Sequence, residues 1–276
     1  FISKFENALK KIIKTKNILL LNSGTSALHI ALKSIDIKNN DEVLVPTLTF
    51  VATVNAIKYC NATPHFVDSE LDTLGVDAAK LIKYLKKNTR QTPAGLKNLN
   101  TNNYIKALIV THVYGTPANM DQLLKLTKFF KIHLIEDAAE ALGSYYKKKH
   151  VGNFGIISVL SFNGNKIITT GAGGAILTNN KKIFKKAQHL SNVAKKINRR
   201  DFFHDQVGYN YRMSNINAAI GCSQIKKLKN FLKRKKLLTK FYKNYFQNIT
   251  RVDFFDEPLN TKRNNWLNVI FLKENS

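Results

Sequence analysis

Ile18-Leu-Leu-Leu-Asn-Ser-Gly-Thr-Ser-Ala-Leu-His-Ile-Ala-Leu-Lys33 reads as a short buried strand, a turn of small polar residues at Ser23-Gly24-Thr25-Ser26, and a helix. A helix that opens this way points free N–H groups at whatever lies before it, which makes the turn a ready anion site. The same alternation recurs downstream. Glu42 to Pro46 is a strand and Phe50 to Tyr59 a helix; Thr63 to Asp68 is a strand, with a helix near Asp77 to Leu85. Ala107 to Tyr114 is again a strand, Met120 to Phe130 a helix, and His133 to Asp137 a strand. Upstream, Phe5-Glu-Asn-Ala-Leu-Lys-Lys-Ile carries apolar residues at helical spacing. Alternating strands and helices predict an α/β fold with a mostly parallel central sheet flanked by helices. Lys86 to Tyr104, polar and rich in asparagine, reads as a loop or insertion.

With 276 residues and 44% hydrophobic content, the chain can bury a large core. Asn215 to Tyr245 reads as a long basic helix leading to a second unit. The expected division is a large domain over 1–235 and the start of a small C-terminal α+β domain over 236–276. The latter offers one or two strands around Asn265-Trp-Leu-Asn-Val-Ile-Phe-Leu272, too little to close its own core.

The formal charge of +26 raises nucleic-acid binding as a possibility, since clustered Lys and Arg release counterions from phosphate backbones. The lysines are instead spread over helical segments, including 125–131, 181–186 and 226–236, so the expectation is attraction to anionic metabolites and no nucleic-acid partner. No apolar run approaches the roughly 20 residues that cross a bilayer, and the N-terminus lacks the order of a secretory signal, so no membrane partner and a cytoplasmic location are expected. Cys60 and Cys222 belong to no paired motif and read as packing residues. The seven histidines lack metal-ligand spacing, so no metal is expected.

In open parallel sheets ligands bind beyond the carboxyl ends of the strands, and the unusual polar residues fall there. Ser161-Phe-Asn-Gly-Asn-Lys166 follows an apolar stretch and precedes Thr169-Thr-Gly-Ala-Gly-Gly174, whose glycines permit close approach. That confinement makes Lys166 a candidate Schiff-base lysine. Asp137 ends another strand, Thr25 and Ser26 follow a third, and Phe50 follows a fourth. Pyridoxal 5′-phosphate needs an amine for its aldehyde, a carboxylate for its ring nitrogen, donors for its phosphate and a flat surface for its ring. Lys166, Asp137, Thr25 with Ser26 and Ser161, and Phe50 supply these. Singly each has a plainer reading: Asp137 as a helix cap, the Ser23 turn as ordinary capping, Phe50 as core, and the glycines as a hairpin.

Asn22-Ser-Gly-Thr-Ser-Ala-Leu28, Val45-Pro-Thr-Leu-Thr-Phe50, His112-Val-Tyr-Gly115, Glu136-Asp-Ala-Ala-Glu140, Ser161 to Gly174 and Gly208-Tyr-Asn-Tyr-Arg-Met213 together resemble, in order and wording, the successive blocks of the DegT and StrS nucleotide-sugar aminotransferases. These are fold-type-I pyridoxal-phosphate enzymes, and the resemblance spans nearly the whole chain. It implies that Lys166 is the covalent lysine, that Asp137 pairs with the pyridine nitrogen, that Phe50 stacks on the ring, and that Thr25, Ser26 and Ser161 hold the phosphate. Glu140, where many relatives have glutamine, would lie near the ring hydroxyl. Asn163 occupies a position where many have histidine and joins the cofactor set. Asn210, with Tyr211 and Arg212 as substrate residues, matches a segment that reaches into a neighbouring subunit, which implies a homodimer with shared active sites.

The wording from Ser161 to Lys166 and from His204 to Arg212 is most similar to the branch making 4-amino-4,6-dideoxy sugars, such as perosamine or the legionaminic-acid precursor. The implied reaction moves an amino group from glutamate to a nucleotide-linked 4-keto-6-deoxy sugar, for cell-surface polysaccharide such as O-antigen. Two other readings stand beside it. One is a sugar dehydratase of the same fold, which Lys166 counts against because histidine usually replaces the lysine there. The other is a non-enzymatic basic protein binding a nucleotide or nucleic acid. Members of this group normally begin earlier and run on through a full C-terminal domain, so a fragment lacking both ends is expected.

Overall fold

In the computed structural model, which describes residues 1–196 and 202–273, α1 (Ile2–Ile13) leads into β1 (Asn17–Leu21) and α2 (Gly24–Ser34). The alternation continues through β2 (Glu42–Pro46), α3 (Val51–Tyr59), β3 (Thr63–Val67) and α4 (Ala78–Asn88). A hairpin of β4 (Thr89–Thr92) and β5 (Gly95–Asn98) follows, then β6 (Tyr104–Thr111), α5 (Met120–Phe129) and β7 (His133–Asp137). Two short strands, β8 (Tyr145–Tyr146) and β9 (Lys149–His150), precede β10 (Ile157–Ser161), β11 (Gly174–Thr178) and α6 (Lys181–Leu190). The chain closes with α7 (Asn215–Phe246), β12 (Val252–Phe254), β13 (Thr261–Lys262) and β14 (Ile270–Leu272).

The central sheet runs in the order β1-β11-β10-β7-β6-β2-β3, with the β4–β5 hairpin attached through β5 to β6. β10, β7, β6, β2 and β3 are mutually parallel. β11 runs against both its neighbours, because no crossover helix separates it from β10 and a strand that returns without one pairs antiparallel. Two consecutive reversals turn β1 back to the direction of β10. The carboxyl ends of β1, β2, β6, β7 and β10 therefore share one edge.

Along β1, as along the other central strands, successive side chains enter opposite cores. Ile18 and Leu20 join one core with Phe5, Leu9, Leu108 and Leu160, while Leu19 and Leu21 join the other with Leu28, Ile109 and Val159. Helices cover both faces, which is why these strands read as continuous apolar runs.

The stretch 86–104, expected as a loop or insertion, is not a plain loop: it ends α4 at Asn88 and then forms the β4–β5 hairpin. The hairpin closes through Pro93-Ala94, pairs Thr92 with Gly95, and buries little beyond Leu96 and Asn98. Its polar composition carries no period-2 apolar signal. The expected boundary between residues 235 and 236 falls inside the unbroken helix α7. Beyond that helix, β13 pairs with β8, so the C-terminal stretch lies against the rest of the chain; residues 274–276 of that unit are outside the described residues. Among the described residues, no helix is long and apolar enough to cross a membrane.

Candidate active site

A cavity of about 300 Å³ opens at the shared carboxyl edge, lined among others by Thr25, Phe50, Thr53, Asp137, Glu140, Ser161, Asn163, Lys166 and Trp266. Its floor starts at the Ser23 turn. The Ser23 side chain accepts from Ser26 N at 3.0 Å and the Ser23 carbonyl from Ala27 N at 3.1 Å. That leaves the Gly24 and Thr25 N–H groups of α2 at the cavity wall. Ser23 Oγ donates to Ser26 Oγ at 2.8 Å, so the Ser26 hydroxyl keeps its own proton to give, although Ser26 does not itself line the cavity. Gly174 closes against this turn, with room for no side chain: a Cβ there would stand 2.3 Å from the Ser23 carbonyl oxygen.

Asp137, at the end of β7, is 4% exposed. It caps no helix. Its Oδ1 accepts from Ala139 N at 3.1 Å and its Oδ2 from Thr53 Oγ1 at 2.6 Å. Thr49 donates to Thr53 at 3.0 Å and lies 2.9 Å from Thr111 Oγ1. Each hydroxyl has one hydrogen, so the chain runs in one direction, from Thr111 through Thr49 and Thr53 to Asp137. The neighbour Glu136 points the other way, as strand alternation requires. It is fully buried, accepting from the N–H groups of Gly152, Phe154 and Gly155, from Ser158 Oγ and from His112 Nε2. Burial pushes its carboxyl up, but the hydrogen bonds from His112 Nε2 and from the Gly152 and Gly155 N–H groups outweigh that and hold it below the usual carboxylate range. His112 Nδ1 accepts from Ala118 N, so the ring proton sits on Nε2 and faces Glu136.

Lys166 Nζ lies 3.3 Å from Glu140 Oε1, and both side chains are 14% exposed. Glu140 Oε2 accepts from Tyr114 N at 2.8 Å, a geometry reached with Tyr114 in the left-handed region at φ 53°. Burial raises the Glu140 carboxyl above its ordinary value; the Lys166 charge and the Tyr114 N–H oppose this without reversing it. On its other side the Lys166 ammonium stands 4.1 Å from the centroid of the Trp266 ring.

Lys166, Asp137, Glu140, Thr25, Ser161, Asn163 and Phe50 are thus brought to one cavity, though Phe50 is 69% exposed at its rim. Asn210, Tyr211 and Arg212 are not. Asn210 is exposed and bridges to Asn192, and Tyr211 stacks on Tyr209 with centroids 5.2 Å apart. Arg212 lines a separate cavity with Lys185, His189 and Lys195. Thr49, Thr53, Thr111 and Trp266 were not anticipated. The threonines could have been suspected from Thr47-Leu-Thr49 and Thr53 flanking the Phe50 turn; nothing near Trp266 in the sequence points to Lys166. The residue set fits pyridoxal 5′-phosphate: a shielded amine, a buried carboxylate whose donors leave it facing the cavity, and a helix N-terminus approached by glycine. Among the described residues, no group of three His, Cys, Asp or Glu side chains could hold a metal ion.

The chain is 40% identical over 252 residues to the GDP-perosamine synthase of Escherichia coli O157:H7, covering 91% of this chain and 65% of that protein. It is 37% identical over 249 residues to a UDP-4-amino-4,6-dideoxy-N-acetyl-beta-L-altrosamine transaminase of Campylobacter jejuni, covering 89% of this chain and 62% of that one. It spans somewhat less than two thirds of the length of these curated relatives. Among solved structures, the Helicobacter pylori aminotransferase PseC superposes with a TM-score of 0.87 at 27% identity, covering 99% of this chain and 70% of its own. The model of the DegT/DnrJ/EryC1/StrS aminotransferase family matches residues 1–276, and the chain belongs to that family.

Proposed function

We propose that this chain is a pyridoxal-phosphate-dependent aminotransferase that passes an amino group from glutamate to the keto carbon of a nucleotide-linked 4-keto-6-deoxy sugar. The product would serve cell-surface polysaccharide such as O-antigen, made in the cytoplasm. The observation that carries the reading is the meeting of Lys166, Asp137 and the N-terminus of α2 around one cavity. The named activities of the relatives support the substrate class.

In this reading Lys166 Nζ holds the cofactor, Asp137 holds a proton on its ring nitrogen, and Thr25, Ser26 and Ser161 with the α2 N-terminus take its phosphate. Phe50 and Asn163 flank it. When bound, pyridoxal 5′-phosphate supplies an aldehyde carbon that bonds amines and a ring that draws electrons from the substrate carbon bearing the amine. The chain supplies the rest. The hydroxyls of Thr111, Thr49 and Thr53 keep Asp137 oriented toward the cavity. Lys166, when free, moves protons at Nζ, work commonly worth about 10²- to 10⁴-fold in rate, with Glu140 Oε1 beside it to share charge.

The proposal includes a homodimer. Asn210, Tyr211 and Arg212 stand away from their own cavity, and Phe50, Val51, Tyr59, Phe66 and Leu71 are exposed apolar side chains on the large unit, as a partner subunit that buries them and receives the 210–212 segment would require. The C-terminal stretch after α7 would belong to a second, small domain.

The test is direct. Purified protein mixed with the cofactor should gain a visible absorbance band that Lys166→Ala lacks, and mass spectrometry should find aminated sugar when keto-sugar nucleotides and glutamate are supplied. A band that persists in Lys166→Ala sinks the lysine assignment; deoxygenated product sinks the transfer.

A further inference from the structure

We propose that Trp266 is a positioning residue for Lys166: its indole face holds the lysine amine, as the ammonium, whenever that amine is not bonded to the cofactor. The inference rests on the functional reading above for the identity of the covalent lysine.

The geometry is built, not incidental. Lys166 Nζ lies 4.1 Å from the ring centroid, well inside the roughly 6 Å over which a cation is drawn to an aromatic face. Trp266 is 6% exposed, and its orientation is fixed at three points. Its Nε1 donates to the carbonyl of Asn165, the residue before the lysine, at 2.7 Å. Its backbone N donates to Asn264 Oδ1 at 2.9 Å. Its carbonyl accepts from Lys235 Nζ at 2.9 Å. Asn264 in turn donates to the carbonyl of Glu140, the residue whose carboxylate faces the lysine from the other side. The amine is therefore held between a carboxylate oxygen and an indole face, and one asparagine sets the spacing of both.

The charges around it explain why a ring is needed there. Glu140 and, farther along the wall, Asp137 face the amine within the cavity. Lys166 and Trp266 also line a second cavity of about 340 Å³, which they share with Arg234 and Lys235 of α7. Removing the π face leaves the ammonium with one attractive partner fewer, in a setting that also holds two like charges.

Trp266 is the only tryptophan of the chain, which gives two readouts that do not depend on turnover. The first is acetylation of the Lys166 amine in the cofactor-free protein, followed by peptide mass spectrometry, in wild type, Trp266→Phe and Trp266→Leu. Both variants fill part of the site with apolar atoms, but only phenylalanine keeps a π face. Only the unprotonated amine reacts, so at fixed mildly alkaline pH the leucine variant should label about three- to tenfold faster than the phenylalanine variant, which should stay near wild type. Equal rates in the two variants overturn the inference.

The second readout uses no Trp266 variant and so survives misfolding of the leucine variant. Cofactor bound at Lys166 should strongly quench the single tryptophan's emission, and Lys166→Ala should abolish the quenching. Borohydride reduction and peptide mapping report independently whether Lys166 took the cofactor. Lys166 carrying cofactor with emission unchanged overturns the role of Trp266 while leaving the functional reading intact. Lys166 carrying none sinks that reading, and the acetylation rates still decide the question for Trp266.

Discussion

Thr53 Oγ1 donates to Asp137 Oδ2 at 2.6 Å, joining residues 84 apart in sequence through the first turn of α3 and the end of β7. Thr53 is fully buried, so Thr53→Val exchanges a satisfied donor for a methyl of similar volume and leaves Asp137 Oδ2 without it. A hydrogen bond to a charged group contributes about 1.5–3 kcal/mol. Chemical denaturation should show a loss in that range, with weaker cofactor retention than wild type. Unchanged stability and unchanged retention would mean that the threonine chain does not orient Asp137.

Gly174 makes a sharper case, because the obstacle is backbone. It pairs with both Leu21 and Ser161 at the sheet edge, and an added Cβ would lie 2.3 Å from the Ser23 carbonyl oxygen and 2.7 Å from Gly24 N. Gly174→Ala must push the Ser23-Gly24 turn aside, carrying Thr25 and the α2 N-terminus with it. Binding of pyridoxal 5′-phosphate should weaken roughly ten- to a hundredfold, the scale of one lost charge-assisted hydrogen bond. Binding of pyridoxal, which has no phosphate, should hardly change. Equal weakening of both ligands would place the damage elsewhere.

What the sequence disclosed and what it hid divide along physical lines. β1, β2, β6, β7 and β10 are covered on both faces, so they announce themselves as apolar runs, and Lys166 and Asp137 stand out as polar residues at the ends of such runs. The β4–β5 hairpin hides because its faces are half-exposed and its composition polar. The direction of β11 hides in a negative feature: the 162–173 connection carries no helical period. Thr53 reaches Asp137 only through the rotation of α3 about its axis, and Trp266 reaches Asn165 across 101 residues, through the C-terminal segment. Neither relation leaves a local pattern. The Asn210 segment was legible as a motif, yet within one chain it stands apart from the cavity.

Glu42, at the opposite edge of the sheet, predicts the acid limb of stability. Burial raises its carboxyl, but hydrogen bonds from His65, Thr101 and Asn98 prevail and bring it from 4.5 down to about 2. A carboxyl lowered on folding contributes stability that is present above its unfolded value and lost as pH falls through the folded one. The window is therefore pH 4.5 down to about 2, and the linked free energy is of order 3 kcal/mol. Urea titrations of wild type across that window should show the loss; Glu42→Gln should start less stable at neutral pH and show a flatter acid limb. A parallel limb in the variant would assign the acid sensitivity to other groups.

Asn264 offers the most discriminating substitution, because its two amide atoms do opposite jobs. It is 1% exposed. Its Nδ2 donates to the carbonyls of Glu140 at 2.6 Å and Leu142 at 3.0 Å, while its Oδ1 accepts from Trp266 N at 2.9 Å. Asn264→Ala removes both functions and leaves space. Asn264→Asp keeps the shape and the acceptor but turns an oxygen toward two carbonyl oxygens, which have nothing to donate. At neutral pH the aspartate variant should thus be the less stable of the two, even though it is the closer isostere, since a buried charge facing acceptors costs more than an unmet neutral group, itself about 1–3 kcal/mol. Lowering the pH through the carboxylate range returns a proton to that oxygen and a donor to the carbonyls, so the order of the two variants should converge or invert. Thermal unfolding at two pH values measures this, and the emission of Trp266 should shift to the red in Asn264→Asp as the segment lifts from Lys166. Equal melting temperatures at neutral pH, with unshifted emission, would show that the Asn264 amide does not hold the 263–266 segment in place.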